Sequence, residues 1–598
     1  MSFLRFFAPA FVRLALIAAG SSMLLAACAQ QPLLQAAPAA EPAFEQDELE
    51  EPESAAIVEP TPVPGPELPK QELTEAVLYE YLLAEIAGQR GSVGLSAQAY
   101  ADLAKRTRDP RIAKRATEVA LYARMPSAAI DAARIWYETD PSSMQALQAL
   151  AGLLIDAKRH DEALPYLEKL LAADGSNTGD GFLQLSRLLA NSQDKALTLK
   201  LVQQLAQPYP KLAQAHFAMA QAAAAAEQRE LALSEVRAAS ALKPEWDLAA
   251  LFEAQLLQRQ SNTLALQRLA AFLERNPKAR EVRMSYARVL VAEREYTQAR
   301  IEFQTLSKDF PDNVDVVFAV GVLSLQLQDY ALAEANFKRL LTLPYRDKDS
   351  VRLYLGQVAE EQKKYPEALR WYEQVAAGEQ YLQAQVRYAQ VLNKQGKLDA
   401  ARAHLQQVDV SSDQARVQLL LAEAQLLRDA NQPREAFDLI GRALQSMPDQ
   451  PELLYDYAML AEKLDRMDVL ESNLKKLISL QPDHAHAYNA LGFSLADRNL
   501  RLPEAQGLLE KALALSPDDP FIIDSMGWLM YRMGDNKGAV EYLRKAYTSR
   551  PDPEIAAHLG EVLWAAGEHR EAEKIWIEAN KKTPDNEALN STIKRFKP

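Results

Sequence analysis

Near the end of the chain, Gly527, Gly534, Ala539, Leu543, Ala546 and Pro551 recur in the same order 33 positions later as Gly560, Gly567, Ala572, Trp576, Ala579 and Pro584. A fixed period with small and apolar residues at set places means that one supersecondary unit is being repeated, rather than a single globule being closed. The block before these two has the same layout, with Tyr488, Leu491, Gly492, Leu495, Ala505, Leu509, Ala512 and Pro517, and one extra residue between its halves. Each residue type has a mechanical reason. Small residues let two antiparallel helices approach closely, and Pro stops the second helix because it cannot continue the hydrogen-bond ladder. Composition agrees with a helical chain: 598 residues hold only 21 Gly, about half of what an average usage of roughly 7% would supply. No β-branched run bounded by Gly marks a strand.

The layout resembles the tetratricopeptide repeat, whose period is about 34 residues and whose small residues stand at the eighth and twentieth positions. The same frame carried backwards places Ala458 with Pro482, Ala424 with Ala436 and Pro448, Ala389 with Ala401, Gly356 with Ala368, Gly321 with Ala333, and Ala287 with Ala299 and Pro311. Further back stand Pro277, Pro244 and Pro210, then Ala151 with Ala163, and a weaker pair near Ala129 and Pro141. Between residues 143 and 277 the match rests on apolar spacing and terminal Pro more than on the small-residue code. The expected fold is all-α: a tetratricopeptide-repeat superhelical solenoid of roughly fifteen helix-turn-helix repeats over residues 71–584, closed by a capping helix in residues 585–598.

The first 27 residues carry Arg5 and Arg13 ahead of an apolar stretch at residues 14–25, the layout of a cleaved export signal. The stretch ends in Leu25-Ala26-Ala27-Cys28, which resembles a bacterial lipobox, and Cys28 is the only Cys of the chain. That resemblance implies acylation of Cys28, and several acyl chains give lasting membrane attachment. Ala29 and Gln30 follow, where an Asp would imply retention in the inner membrane, so the expected location is the periplasmic face of the outer membrane. Residues 28–70 then read as a disordered tether, rich in Pro and Glu and without Lys or Arg until Lys70. An acidic partner motif inside it is the alternative to plain solvation.

The folded part offers little chemistry. With 67 Lys and Arg against 81 Asp and Glu, the net charge of −14 would be repelled by a nucleic-acid backbone. The seven His show no metal-binding spacing. His484 and His486, two apart at a helix start, point in divergent directions. No phosphate-binding loop, nucleophile elbow or dinucleotide fingerprint is present. Scattered carboxylates are the polar faces of amphipathic helices. No catalytic residue, metal or cofactor is expected.

Surface remains. In tetratricopeptide folds the first helix of each repeat lines the concave groove, and its positions 2, 5, 6, 9, 12 and 13 usually face inward. Carried onto the last three repeats, the resemblance implies His486, Asn489 and Phe493; Phe521, Asp524, Trp528, Tyr531 and Arg532; and His558, Glu561 and Trp564. Aromatic and Arg side chains are enriched at binding hot spots, so partner binding is the expectation. Packing between repeats is the alternative for Trp528 and Trp564. The Lys and Asn carboxylate clamp of chaperone-binding relatives is missing, so recognition of a chaperone tail is not expected.

Four segments narrow the resemblance: Leu82-Leu83-Ala84-Glu85-Ile86-Ala87-Gly88-Gln89-Arg90-Gly91, Arg108-Asp109-Pro110-Arg111-Ile112-Ala113-Lys114-Arg115-Ala116, Asp524-Ser525-Met526-Gly527-Trp528, and Ala556-Ala557-His558-Leu559-Gly560-Glu561-Val562-Leu563-Trp564. With the lipobox and tether, they resemble a family of long proteobacterial outer-membrane lipoproteins whose best-known type is the LbcA-like adaptor. The resemblance implies a scaffold that binds a periplasmic carboxyl-terminal processing serine protease and presents peptidoglycan cross-link hydrolases to it, raising their local concentration. The second expectation is a structural scaffold for an exopolysaccharide, pilus or cell-wall assembly complex.

Overall fold

The computed structural model describes residues 68–596, apart from 71, 174–177, 191 and 193. The described residues hold 31 helices and no strand. Twenty-eight of the helices form fourteen antiparallel pairs, from Glu75–Gln89 with Val93–Thr107 to Pro553–Ala565 with His569–Lys582; Thr178–Leu189 and Lys195–Ala206 instead both pack on Ala213–Ala225 and hardly touch each other, and Glu587–Phe596 closes the series. The described residues up to Pro311 make one compact unit of six pairs and the two helices between them, and those from Asp312 onward make a second, of eight pairs and the closing helix. Within each unit the main contacts of a helix reach the next one or two helices in the chain.

The period explains why the helices begin and end where they do. Asp519 and Asp552, 33 apart, each cap a helix: Asp519 Oδ1 accepts from Phe521 N at 2.8 Å and Ile522 N at 3.2 Å, and Asp552 Oδ1 accepts from Glu554 N at 2.9 Å. Pro520 and Pro553 follow at the first helical position, where a missing N–H costs nothing and φ is already helical. Both helices end ahead of a left-handed Gly, Gly534 at φ 90° and Gly567 at φ 87°. The corresponding turn elsewhere is made by ordinary residues held at φ near 60°, among them Gln328, Lys363 and Asn431. A side chain in that region is disfavoured by about 1–2 kcal/mol, so the packing of the flanking helices imposes the turn. The terminal prolines act as expected. Pro210, Pro244 and Pro277 lie just beyond the helices Lys195–Ala206, Arg229–Leu242 and Asn262–Arg275.

Inside a pair, the small residue of the first helix receives the large residue of the second. A Cβ on Gly560 would overlap the Trp576 indole, and one on Gly356 would overlap the Tyr372 ring. The rings fill the space that the missing side chains leave, and Trp576 and Tyr372 are buried. Leu470, Leu474 and Leu477 are likewise fully covered, each contributing about 1.5–3 kcal/mol by leaving water.

At two buried carboxylates the charge is closely matched. In the second unit Glu360 accepts from Tyr372 Oη at 2.8 Å, Lys394 Nζ at 2.7 Å and Arg387 Nη1 at 3.3 Å. These partners overcome burial and hold its carboxyl below the ordinary range. In the first unit Glu253 is paired with Arg237 and Arg268.

The signal sequence expected in residues 1–27, Cys28 and nearly all of the tether lie outside the described residues. Among the described residues no helix is long and apolar enough to cross a membrane.

Candidate functional site

Four consecutive first helices, Pro451–Lys463, Ala485–Asp497, Pro520–Arg532 and Pro553–Ala565, turn one face of each toward a shared cleft. Its walls are Tyr455, Met459 and Glu462 from the first, Asn489, Ala490 and Phe493 from the second, Phe521, Asp524 and Ser525 from the third, and Glu554, Ile555 and His558 from the fourth, with Ala588 of the closing helix at one end. The cleft thus gathers five of the residues expected to line a groove: Asn489, Phe493, Phe521, Asp524 and His558.

The pair His558 and Asp524 anchors it. His558 Nδ1 lies 2.8 Å from Asp524 Oδ2, and both residues are 6% exposed. Burial alone would lower the imidazole pKa. The Asp524 carboxylate beside it, helped by Glu554 and Asp497, pushes it up to about 9 instead, so the ring is an imidazolium at neutral pH. Behind it the Trp528 ring stacks at 4.4 Å between centroids, and Trp528 Nε1 donates to Asp497 Oδ1 at 3.2 Å. Phe493 flanks the imidazole at 5.9 Å.

Two acceptor atoms of the cleft wall are left over. Asn489 Oδ1 and Asp524 Oδ1 are buried without a hydrogen-bond partner. Ser525 Oγ is spent on the carbonyl of Phe521 at 2.9 Å. Burial pushes the carboxyls of Glu462 and Glu554 up to about 7. For Glu462, Ser494 and Arg498 oppose this only in part. For Glu554, Asp552 and Asp524 add to it and His558 opposes it. Both sit where positive charge is in short supply.

Six expected groove residues lie elsewhere. His486 is half-exposed and 3.9 Å from Asp519, outside the cleft wall. Trp528 is 5% exposed and packs behind His558 in the core. Arg532 turns toward the preceding repeat, donating to the carbonyls of Ala496 at 3.2 Å and Asp497 at 2.8 Å. Glu561 is buried and paired with Arg595 of the closing helix, and Tyr531 lies against Glu561. Trp564 is covered by that helix: it packs 6.1 Å from Phe596 and stacks 5.8 Å from Trp576. Trp528 therefore packs against the next repeat, and Trp564 against the second helix of its own repeat and the closing helix. A large flat ring is worth more to a stack when both its faces are covered.

Six wall residues escaped the sequence reading although the frame predicts them, Ala490 and Ser525 at position 6 of their repeats among them. Tyr455, Met459 and Glu462 are positions 5, 9 and 12 of the repeat built around Ala458, one repeat before those considered, and Glu554 is position 2 of the last. Among the described residues no cluster of three or more His, Cys, Asp or Glu could hold a metal ion.

Comparison with known proteins places this architecture. Residues 243–519 match the model of the protein kinase G tetratricopeptide repeat, and residues 118–178 and 525–587 match a general tetratricopeptide-repeat model. The chain is 37% identical over 513 residues to the TPR repeat-containing protein PA4667 of Pseudomonas aeruginosa, covering 85% of this chain and 86% of that one. It is also similar, at 26% identity over 281 residues, to cellulose synthase operon protein C of Pseudomonas fluorescens, covering 43% of this chain but 22% of that protein. Among solved structures, a tetratricopeptide-repeat protein of Thermus thermophilus is 24% identical and covers 29% of this chain and 95% of its own, with a TM-score of 0.28.

Proposed function

The chain belongs to the tetratricopeptide-repeat proteins, and from that premise we propose that it is a non-enzymatic scaffold, lipid-anchored through Cys28 at the periplasmic face of the outer membrane, that docks other proteins. Repeats of this family are protein-docking surfaces. The observation that carries the reading here is the cleft across four repeats, in which aromatic walls and unpartnered buried acceptors are built together. Buried polar atoms without partners are costly in a closed core but useful where an incoming chain supplies the donors.

The finer reading follows the lipobox, the acidic tether and the four family-like segments. The scaffold holds a carboxyl-terminal processing protease and its cell-wall hydrolase substrates side by side, so that effective concentration replaces chemistry. A pull-down tests it. The immobilised chain beginning at Cys28 should capture such a protease together with cross-link hydrolases from a periplasmic extract of its own source. Failure to recover any serine protease under gentle conditions rejects the adaptor role. The similarity to cellulose synthase operon protein C favours one alternative, a scaffold within an exopolysaccharide assembly. Its mark would be capture of polysaccharide-export components in the same experiment.

A further inference from the structure

We propose that the cleft in the last repeats receives a basic side chain, arginine or lysine, projecting from a protein partner. The proposal rests on the docking reading above and adds the chemistry of what is docked. Four observations carry it.

The first is the sign of the wall. Glu462, Asp524 and Glu554 bring three carboxyl groups, against one facing cation, His558. That cation is committed to Asp524 at 2.8 Å. Arg498 reaches Glu462 at 3.4 Å but divides itself among Ser494 Oγ at 2.8 Å and Asp465 at 3.5 Å. Burial without matching positive charge is what raises the Glu462 and Glu554 carboxyls. An acidic ligand would meet like charge, whereas a cation would complete the pairing.

The second is the kind of atom left over. Asp524 Oδ1 and Asn489 Oδ1 belong to side chains more than nine-tenths buried, and both are acceptors without a donor. Arginine and lysine carry only donors, five and three respectively, so either can satisfy several such atoms with none of its own left unmatched.

The third is the lining. Tyr455, Phe493 and Phe521 supply ring surface to the methylene stem of a long basic side chain and, through their faces, to its charge. Phe521 already has Arg550 of the same chain 5.0 Å from its ring centre.

The fourth is order. The His558 ring is held by Asp524 and stacked on Trp528, itself tied to Asp497. The Asp524 part of the wall is therefore fixed before a ligand arrives, which lowers the entropy cost of binding.

The test selects ligands from a phage-displayed random peptide library on the full chain in detergent, then repeats the selection on Glu554→Gln and Asp524→Asn. Circular dichroism of each variant confirms that helix content is kept. The expected result is a set of peptides with Arg or Lys at one shared position. Their affinity should fall about tenfold in Glu554→Gln, as loss of one charge-assisted contact implies, and weaken with added salt. Enrichment of peptides without a basic anchor, or with one insensitive to both substitutions, overturns the proposal and leaves the docking role standing. Enrichment of no peptide at all rejects both the proposal and this cleft as a docking site.

Discussion

Replacing Asp524 with Asn should destabilise the last repeats much more at pH 6 than at pH 9.5. Asparagine keeps an oxygen within reach of His558 Nδ1 and removes only the charge. The imidazole has an ordinary pKa of 6.5 and is pushed up to about 9 in the folded chain, where burial opposes protonation and the Asp524 carboxylate more than compensates. A folded pKa above the unfolded one means that the stabilisation is complete below about 6.5 and disappears as pH rises through about 9. The displacement is roughly two and a half units, and at 1.36 kcal/mol per unit the pair contributes at most about 3 kcal/mol. The variant should therefore lose about 2–3 kcal/mol at pH 6, and most of this difference from the parent should vanish by pH 9.5, leaving about 1 kcal/mol for the hydrogen bond itself. Glu462 titrates in both chains and cancels in the comparison, whereas Glu554 cancels only in part, because Asp524 raises its carboxyl and His558 lowers it. Urea melts at a series of pH values, followed by tryptophan fluorescence, read this directly because Trp528 stacks on the imidazole at 4.4 Å. A penalty that stays level from pH 6 to pH 9.5 would refute the reasoning, since it would mean a neutral imidazole throughout.

Gly560→Ala should lower the thermal midpoint: the new methyl runs into the Trp576 indole, and overpacking of about 1–3 kcal/mol exceeds the roughly 1 kcal/mol gained in helix propensity. Gly507→Ala is the contrasting case, in the middle of a helix with open space around the added carbon, and should raise the midpoint. Gln328→Gly, at φ 61°, should stabilise its repeat by up to about 1 kcal/mol, measured as a higher urea midpoint, because a left-handed turn no longer has to accommodate a side chain.

The stack was legible because its geometry forces residue size at fixed places. Gly527 and Gly560 stand out against larger neighbours, and Pro551 and Pro584 mark where second helices end. The signal fades where contrast is lost. In the pair Ala213–Ala225 and Arg229–Leu242, Ala220, Ala232 and Ala239 keep the eighth, twentieth and twenty-seventh places, but Ala222 to Ala226 form an unbroken run that hides them. In the helix beginning at Thr178, buried Leu185 stands where other repeats put Ala or Gly, and this helix hardly touches the one that follows it.

At the cleft, position within the repeat found Asn489, Phe493, Phe521, Asp524 and His558. It misled at Trp564 and Glu561, because the closing helix brings Phe596 and Arg595 over them. No repeat frame extends to a helix that has no partner. The upward shift of the Glu462 and Glu554 carboxyls was out of reach of the sequence for a different reason. It depends on which charges three neighbouring repeats fail to supply, a property of the assembled surface and of no single segment.

Because the main contacts of each helix reach only the next one or two along the chain, either unit has the mechanics of a row of fasteners instead of those of a solid body. Pulled from its ends, such a row yields one pair at a time, and each pair of about 33 residues pays out on the order of 110 Å of extended chain. When the load is released, a freed pair needs only its intact neighbour as a template, so extension and recoil follow the same order in reverse.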